Sequence, residues 1–146
     1  MPVIEWSDAY ALGIAEIDEH HQRLCALLNN TYQVFVAQGQ KVAVAKVLEE
    51  LIDYATYHFA AEERFLAQNA YADLAGHQKL HGDFTREITA LQHELDAGSK
   101  ALSLELIVFL KEWLLNHILK SDRAYADALK PELAKNGPRG ARIRLV

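Results

Sequence analysis

Seven side chains in this sequence have the types and spacing of metal ligands. His58 and Glu62 stand four residues apart in Tyr57-His58-Phe59-Ala60-Ala61-Glu62, and His77 and His81 repeat that spacing nineteen residues later. Residues four apart project from one face of a helix, so two consecutive helical stretches each offer a pair of donors. His21, His117 and Asp122 complete the set. Imidazoles with carboxylates and no necessary thiolate suit iron, manganese or zinc. With bridging carboxylates inside a helical bundle, the mixture points to a non-haem di-iron centre. Five imidazoles, two bridging carboxylates and one bridging oxide or hydroxide fill all but one position of two six-coordinate irons, leaving one for a small ligand.

The elements that must position these groups are helical. The chain has 146 residues, the size of one domain, with 51% apolar residues but only three prolines and seven glycines, which suits long helices better than a turn-rich sandwich. We expect an all-α fold, an antiparallel up-down-up-down four-helix bundle with an extended N-terminal arm and a short C-terminal helix, forming a single domain over 1–146. The arm, about 1–18, carries Trp6, Tyr10, Leu12, Ile14 and Ile17 to pack over one end of the bundle. Apolar residues recurring at three and four predict helices over about 19–38, 41–68, 72–97 and 100–120. Asp18 and Ser99 are placed to cap, and Gly39 and Gly98 to stop. Beyond them lie a short helix and tail, 122–146, in which Pro131 is expected to kink or end the helix.

The register of the hairpins supports convergence. In an antiparallel pair, residues equidistant from the loop lie at one height. About Gly39, His21 lies 18 positions before and His58 19 after; about Ala70, His58 and Glu62 lie 12 and 8 before, His77 and His81 7 and 11 after. About Gly98, His81 lies 17 before and His117 19 after. One pair resists: His117 and Asp122 are five apart, about 140° around an α-helix. They can share a face only if the helix loosens or bends at Leu119-Lys120-Ser121.

These residues resemble the hemerythrins, in particular the single-domain bacterial ones. The resemblance runs from Trp6 to Asp122 through Gly13, Ile17-Asp18-Glu19-His20-His21, His58-Phe59-Ala60-Ala61-Glu62-Glu63, His77-Gln78-Lys79-Leu80-His81 and Trp113-Leu114-Leu115-Asn116-His117-Ile118. It implies that His77, His81 and His117 hold one iron and His21 and His58 the other, with Glu62 and Asp122 bridging. It also implies that dioxygen binds reversibly at the two-histidine iron, behind an apolar wall of Phe59, Trp113, Leu114 and Ile118. The implied function is oxygen storage, delivery or sensing by a carrier and not an enzyme. A di-iron oxidase, peroxidase or nitric-oxide-handling enzyme and an iron reservoir are the rivals.

The remaining candidates take plainer readings. His20 departs from the glutamine usual before the first ligand in bacterial hemerythrins. Only one of two neighbouring helical residues can face the metals, so His20 is expected to be exposed. His93 is expected at the surface, and Glu63 in solvent or beside a base. Cys25 shares the face of His21 but is expected to be a small buried apolar residue, and Tyr54 and Tyr57 are expected in the core. A formal charge of −5 argues against nucleic acid or an anionic membrane as partner. With neither a membrane span nor the pattern of a signal peptide, a cytoplasmic location is expected, with an unidentified recipient protein for the oxygen.

Overall fold

The structure is a computed structural model that describes residues 4–37, 41–98 and 104–136. Four helices form the bundle: α1 (Ala15–Val36), α2 (Lys41–Gln68), α3 (Leu74–Asp96) and α4 (Leu104–Asn116). A π-helical stretch, His117–Asp122, continues α4 and passes directly into α5 (Arg123–Asn136). A short 3-10 turn, Asp8–Tyr10, precedes α1. Helix α1 packs on α2 and on α4, and α2 packs on α3. Among the described residues there is no strand, and no helix is long and apolar enough to cross a membrane. The antiparallel helical bundle expected from the periodicity is the architecture found. The expected stop at Gly39, the cap at Ser99 and the tail beyond Asn136 lie outside the described residues.

The arm is tied down at both ends. Ile4 N–H donates to Asn29 Oδ1 at 3.0 Å, and Asn29 Nδ2 donates back to Ile4 O at 2.7 Å, which fixes the arm to α1. Farther along, the Arg123 guanidinium donates to the carbonyls of Ala9 and Ala11 at 3.0 and 2.9 Å. Helix α1 begins at Ala15 and not at Glu19, so Asp18 is inside its first turn. Its carboxylate accepts from Leu12 N–H at 2.7 Å and Gly13 N–H at 3.1 Å. Gly13, at φ +84°, supplies the left-handed turn that folds those donors back. The expected cap is thus a clamp on the preceding loop.

Two apolar clusters fill the bundle on either side of a polar layer. The larger joins Leu24, Leu28, Leu51, Phe59, Ile88, Ile107, Leu110, Leu114 and Ile118. In the smaller, Ile14, Ile17, Phe65 and Leu66 meet Tyr125, Ala126 and Leu129 from α5. Along α2 the order is Phe59, Glu62, Phe65, and from α4 into α5 it is Ile118, Asp122, Tyr125, so the acids lie between the clusters. Burial of each large apolar side chain stabilises the fold by about 1.5–3 kcal/mol, which offsets the desolvation of the layer between them. Pro131 does not end α5, which continues to Asn136. Proline has no backbone N–H, and the carbonyl four residues back that goes without that donor belongs to Asp127, an exposed residue whose oxygen water can satisfy.

Candidate metal centre

Each bundle helix or its extension contributes to the polar layer: His21 from α1, His58 and Glu62 from α2, His77 and His81 from α3, and His117 and Asp122 from the π-helical stretch. All seven are buried, Glu62, Asp122 and His21 completely. They form two overlapping groups, Glu62 with His77, His81 and His117, and His21 and His58 with Glu62 and Asp122, whose donor atoms lie within 4.8 Å of one another.

The π-helical turn accounts for the pair that an α-helix cannot align. Its bonds run from residue i to i+5, so His117 and Asp122 fall one above the other, and His117 Nε2 lies 3.0 Å from Asp122 Oδ1. The loosening expected at Leu119-Lys120-Ser121 takes the form of a wider helical turn, not an end or a bend.

Both carboxylates divide their oxygens between the same two sets of histidines. Glu62 Oε1 lies 2.5 Å from His77 Nε2, 3.1 Å from His81 Nε2 and 3.6 Å from His117 Nε2. Its Oε2 lies 3.2 Å from His58 Nε2 and 3.7 Å from His21 Nε2. Asp122 directs Oδ1 to His77 and His117, at 2.9 and 3.0 Å, and Oδ2 to His21 at 3.0 Å. Three imidazoles therefore gather on one side of the acid pair and two on the other.

Many of these close approaches are not hydrogen bonds. Both Asp122 oxygens, both His21 nitrogens and His58 Nε2 are buried without an aligned partner, although nitrogen and oxygen stand 3.0 Å apart at His21 and Asp122. Unsatisfied buried polar groups are costly and need a cause. Lone pairs converging on shared cations supply it, so the residues present fit a two-metal site.

The titration behaviour agrees. Burial pulls the pKa values of His21, His77 and His117 down. The close approach and negative charge of Asp122 and Glu62 outweigh it, leaving them at about 9, 9 and 10. Burial pushes the Glu62 and Asp122 carboxyls up, yet the surrounding histidines hold both below the usual carboxylate range. Without metal, protons neutralise the acids; a cation takes their place and releases them.

A shell of further contacts orients the donors. His81 Nδ1–H donates to Glu63 Oε2 at 2.9 Å, which leaves the Nε2 lone pair facing inward. Glu63 was expected in solvent or beside a base, and the base proves to be the outer edge of a candidate ligand. The Tyr125 hydroxyl, fully buried, donates to Glu62 Oε2 at 3.2 Å. Its position three residues after Asp122, on the same helical face, was the available signal. Phe59 stacks on His81 with ring centres 4.0 Å apart, and Trp113 on His117 at 4.7 Å.

Of the expected apolar wall, Phe59, Trp113 and Leu114 line a cavity of about 30 Å³ with Leu24, Leu28, Ala55 and Phe84, while Ile118 is buried in the same cluster without lining it. His20 overturns its expected exposure: it is buried, with its Nδ1 2.9 Å from His58 Nδ1. An edge between α1 and α2 is covered by neighbouring tyrosines, so a residue about 100° from His21 is still enclosed. Tyr57, expected in the core, is instead 46% exposed. His93 is at the surface as expected, and Cys25 is buried in the larger cluster, outside both ligand groups.

Comparison with known proteins gives the same answer. The profile of the hemerythrin HHE cation binding domain matches residues 12–129. A bacteriohemerythrin of Stenotrophomonas maltophilia is 35% identical over 133 residues, spanning 91% of this chain and 86% of the relative. One from Methylococcus capsulatus is 29% identical over 130 residues, spanning 88% and 98%. The crystal structure of a wild-type hemerythrin superposes with a TM-score of 0.82 at 29% identity, covering 87% of this chain and 98% of that one. With the ligand geometry, the profile match and these relatives in agreement, the chain belongs to the hemerythrin family.

Proposed function

We propose that this protein binds dioxygen reversibly at a non-haem pair of iron ions held by His21, His58, Glu62, His77, His81, His117 and Asp122. The observation that carries the reading is the split of both carboxylates between a three-histidine and a two-histidine side. Glu62 and Asp122 would bridge. The side of His21 and His58 has one protein donor fewer, and is where a small ligand would enter. When bound, a ferrous pair supplies two electrons to dioxygen and recovers them on its release.

The chain's own residues govern what else can happen there. Five imidazoles against two carboxylates contrast with the carboxylate-rich sites of the ferritin-like di-iron proteins, which favours a carrier over an oxidase. The cavity lined by Phe59, Trp113 and Leu114 has room for a diatomic molecule and offers a water too few hydrogen-bond partners to stay. Excluding water there slows loss of the reduced state. Reversible binding of this kind serves storage, delivery or sensing of oxygen.

The test is iron content together with an absorption spectrum. Protein produced on iron is expected to carry two irons per chain and, once reduced, to develop a visible band under oxygen that disappears under argon over repeated cycles. One ion per chain, or a band that never reverses, overturns the proposal. Steady consumption of an added reductant would instead identify an oxidase or peroxidase.

A further inference from the structure

His20 and His58 meet through their Nδ1 atoms, 2.9 Å apart and both buried. Two ring nitrogens at that distance hold one proton between them. Which ring owns it is decided by the other edge of His58, whose Nε2 lies 3.2 Å from Glu62 Oε2, has no aligned hydrogen-bond partner and belongs to the group around Glu62 and Asp122. For that nitrogen to offer a lone pair to a cation, the proton of His58 must reside on Nδ1.

We infer that His20 is a positioning residue for the metal centre: its Nδ1 accepts the Nδ1–H of His58, fixing the tautomer and ring angle with which His58 presents Nε2 to the ion. The three-histidine side has a counterpart, since His81 donates Nδ1–H to Glu63. One histidine of the three-histidine side is thus oriented by a carboxylate and one of the two-histidine side by a neutral imidazole. A neutral acceptor leaves the His58 ring less electron-rich than a carboxylate would, on the side with fewer protein donors.

The packing holds His20 in that role. Its ring meets His58 edge to face, with centres 5.1 Å apart, and lies against Tyr54 and Tyr57 at 5.9 and 5.5 Å. Those tyrosines line a surface groove with Arg23, Leu27, Glu50 and Asp53. His20, buried, thus packs against both groove tyrosines and His58.

The inference rests on the metal-binding part of the proposed function but not on iron or oxygen, so zinc alone is the probe. In zinc-loaded, ¹⁵N-labelled protein, the His58 Nδ1–H proton is expected to be protected from exchange and to show scalar coupling across the hydrogen bond to His20 Nδ1. His20→Leu, which removes the acceptor, should abolish that signal and speed extraction of the His58-side zinc by a chelator about tenfold or more. His20→Asn places an amide oxygen where Nδ1 stood and should restore slow extraction. The His81 Nδ1–H signal, bonded to Glu63, serves as the folding control and should persist in both variants. Equal extraction rates in wild type and His20→Leu, or equally fast loss from His20→Leu and His20→Asn, would overturn the inference, as would a proton residing on His20 in the loaded wild type. Wild-type protein that shows the coupling yet develops no reversible oxygen band keeps this inference and loses the oxygen proposal.

Discussion

Glu62 touches more of the site than any other side chain: its two oxygens face all five histidines, and Tyr125 secures one of them. Its removal should therefore cost both metals, whereas His58→Ala should cost only the ion on the two-histidine side. Elemental analysis checks this, and a Glu62→Ala protein that keeps two metals contradicts the bridging position. The convergence of these residues was legible in the sequence because a spacing of four on a helix specifies a face. The surroundings were not. His20 and Glu63 each neighbour a candidate ligand at about 100°, a direction that faces water on an isolated helix. Here the adjoining helix fills it, placing His58 against His20 and His81 against Glu63.

At the scale of elements, the π-helical stretch is the feature on which Asp122 depends. A π turn carries one residue more than the α turn it replaces. Deleting the exposed Lys120 should leave His117 and Asp122 four apart on an ordinary α-helix, still on one face, and metal content should survive. Inserting one alanine after Lys120 should rotate Asp122 away and lower the metal per chain, with helix content by circular dichroism nearly unchanged. The turn after α2 allows a separate test. Ala70 sits in the left-handed region at φ 53°, where Tyr71 N–H donates back to Leu66 O at 3.0 Å in the manner of a Schellman cap. Ala70→Gly should relieve about 1 kcal/mol of backbone strain and raise the melting temperature. The turn near Ala70 was visible in the sequence, but no residue type there announced a left-handed alanine. Nor did composition announce a π turn, since its stability comes from the contacts of Asp122 and not from local propensity.

Over the whole molecule, two apolar clusters enclose a layer whose charge depends on what fills it. In the metal-free protein, His21, His77 and His117 keep protons up to about 9, 9 and 10. The unfolded chain gives them up near 6.5, the ordinary value. Their stabilisation is complete below 6.5 and is lost as pH rises through 9 to 10. His20, lowered to about 4 by burial and then by His58 and His21, and His58, lowered chiefly by burial, act in the opposite sense. Their contribution is present above 6.5 and lost as pH falls. Glu62 and Asp122, held low, likewise lose theirs in acid. Metal-free protein should therefore melt highest near pH 6.5 and lose stability on both sides. Metal competes with the same protons, so its affinity should climb toward pH 9, and loaded protein should escape the alkaline decline. Thermal melts with and without a chelator across that range provide the check.

What the sequence determined alone was the set of helical faces and their register: apolar recurrence marked the rods, loop positions set their heights, and matched heights brought five imidazoles and two acids into one layer. Tertiary structure decided how that layer is arranged. Which oxygen faces which ring, which nitrogen bears a proton and how Asp122 turns inward depend on contacts between residues far apart in the chain. Helical periodicity carries direction within one rod and none of the distances between rods.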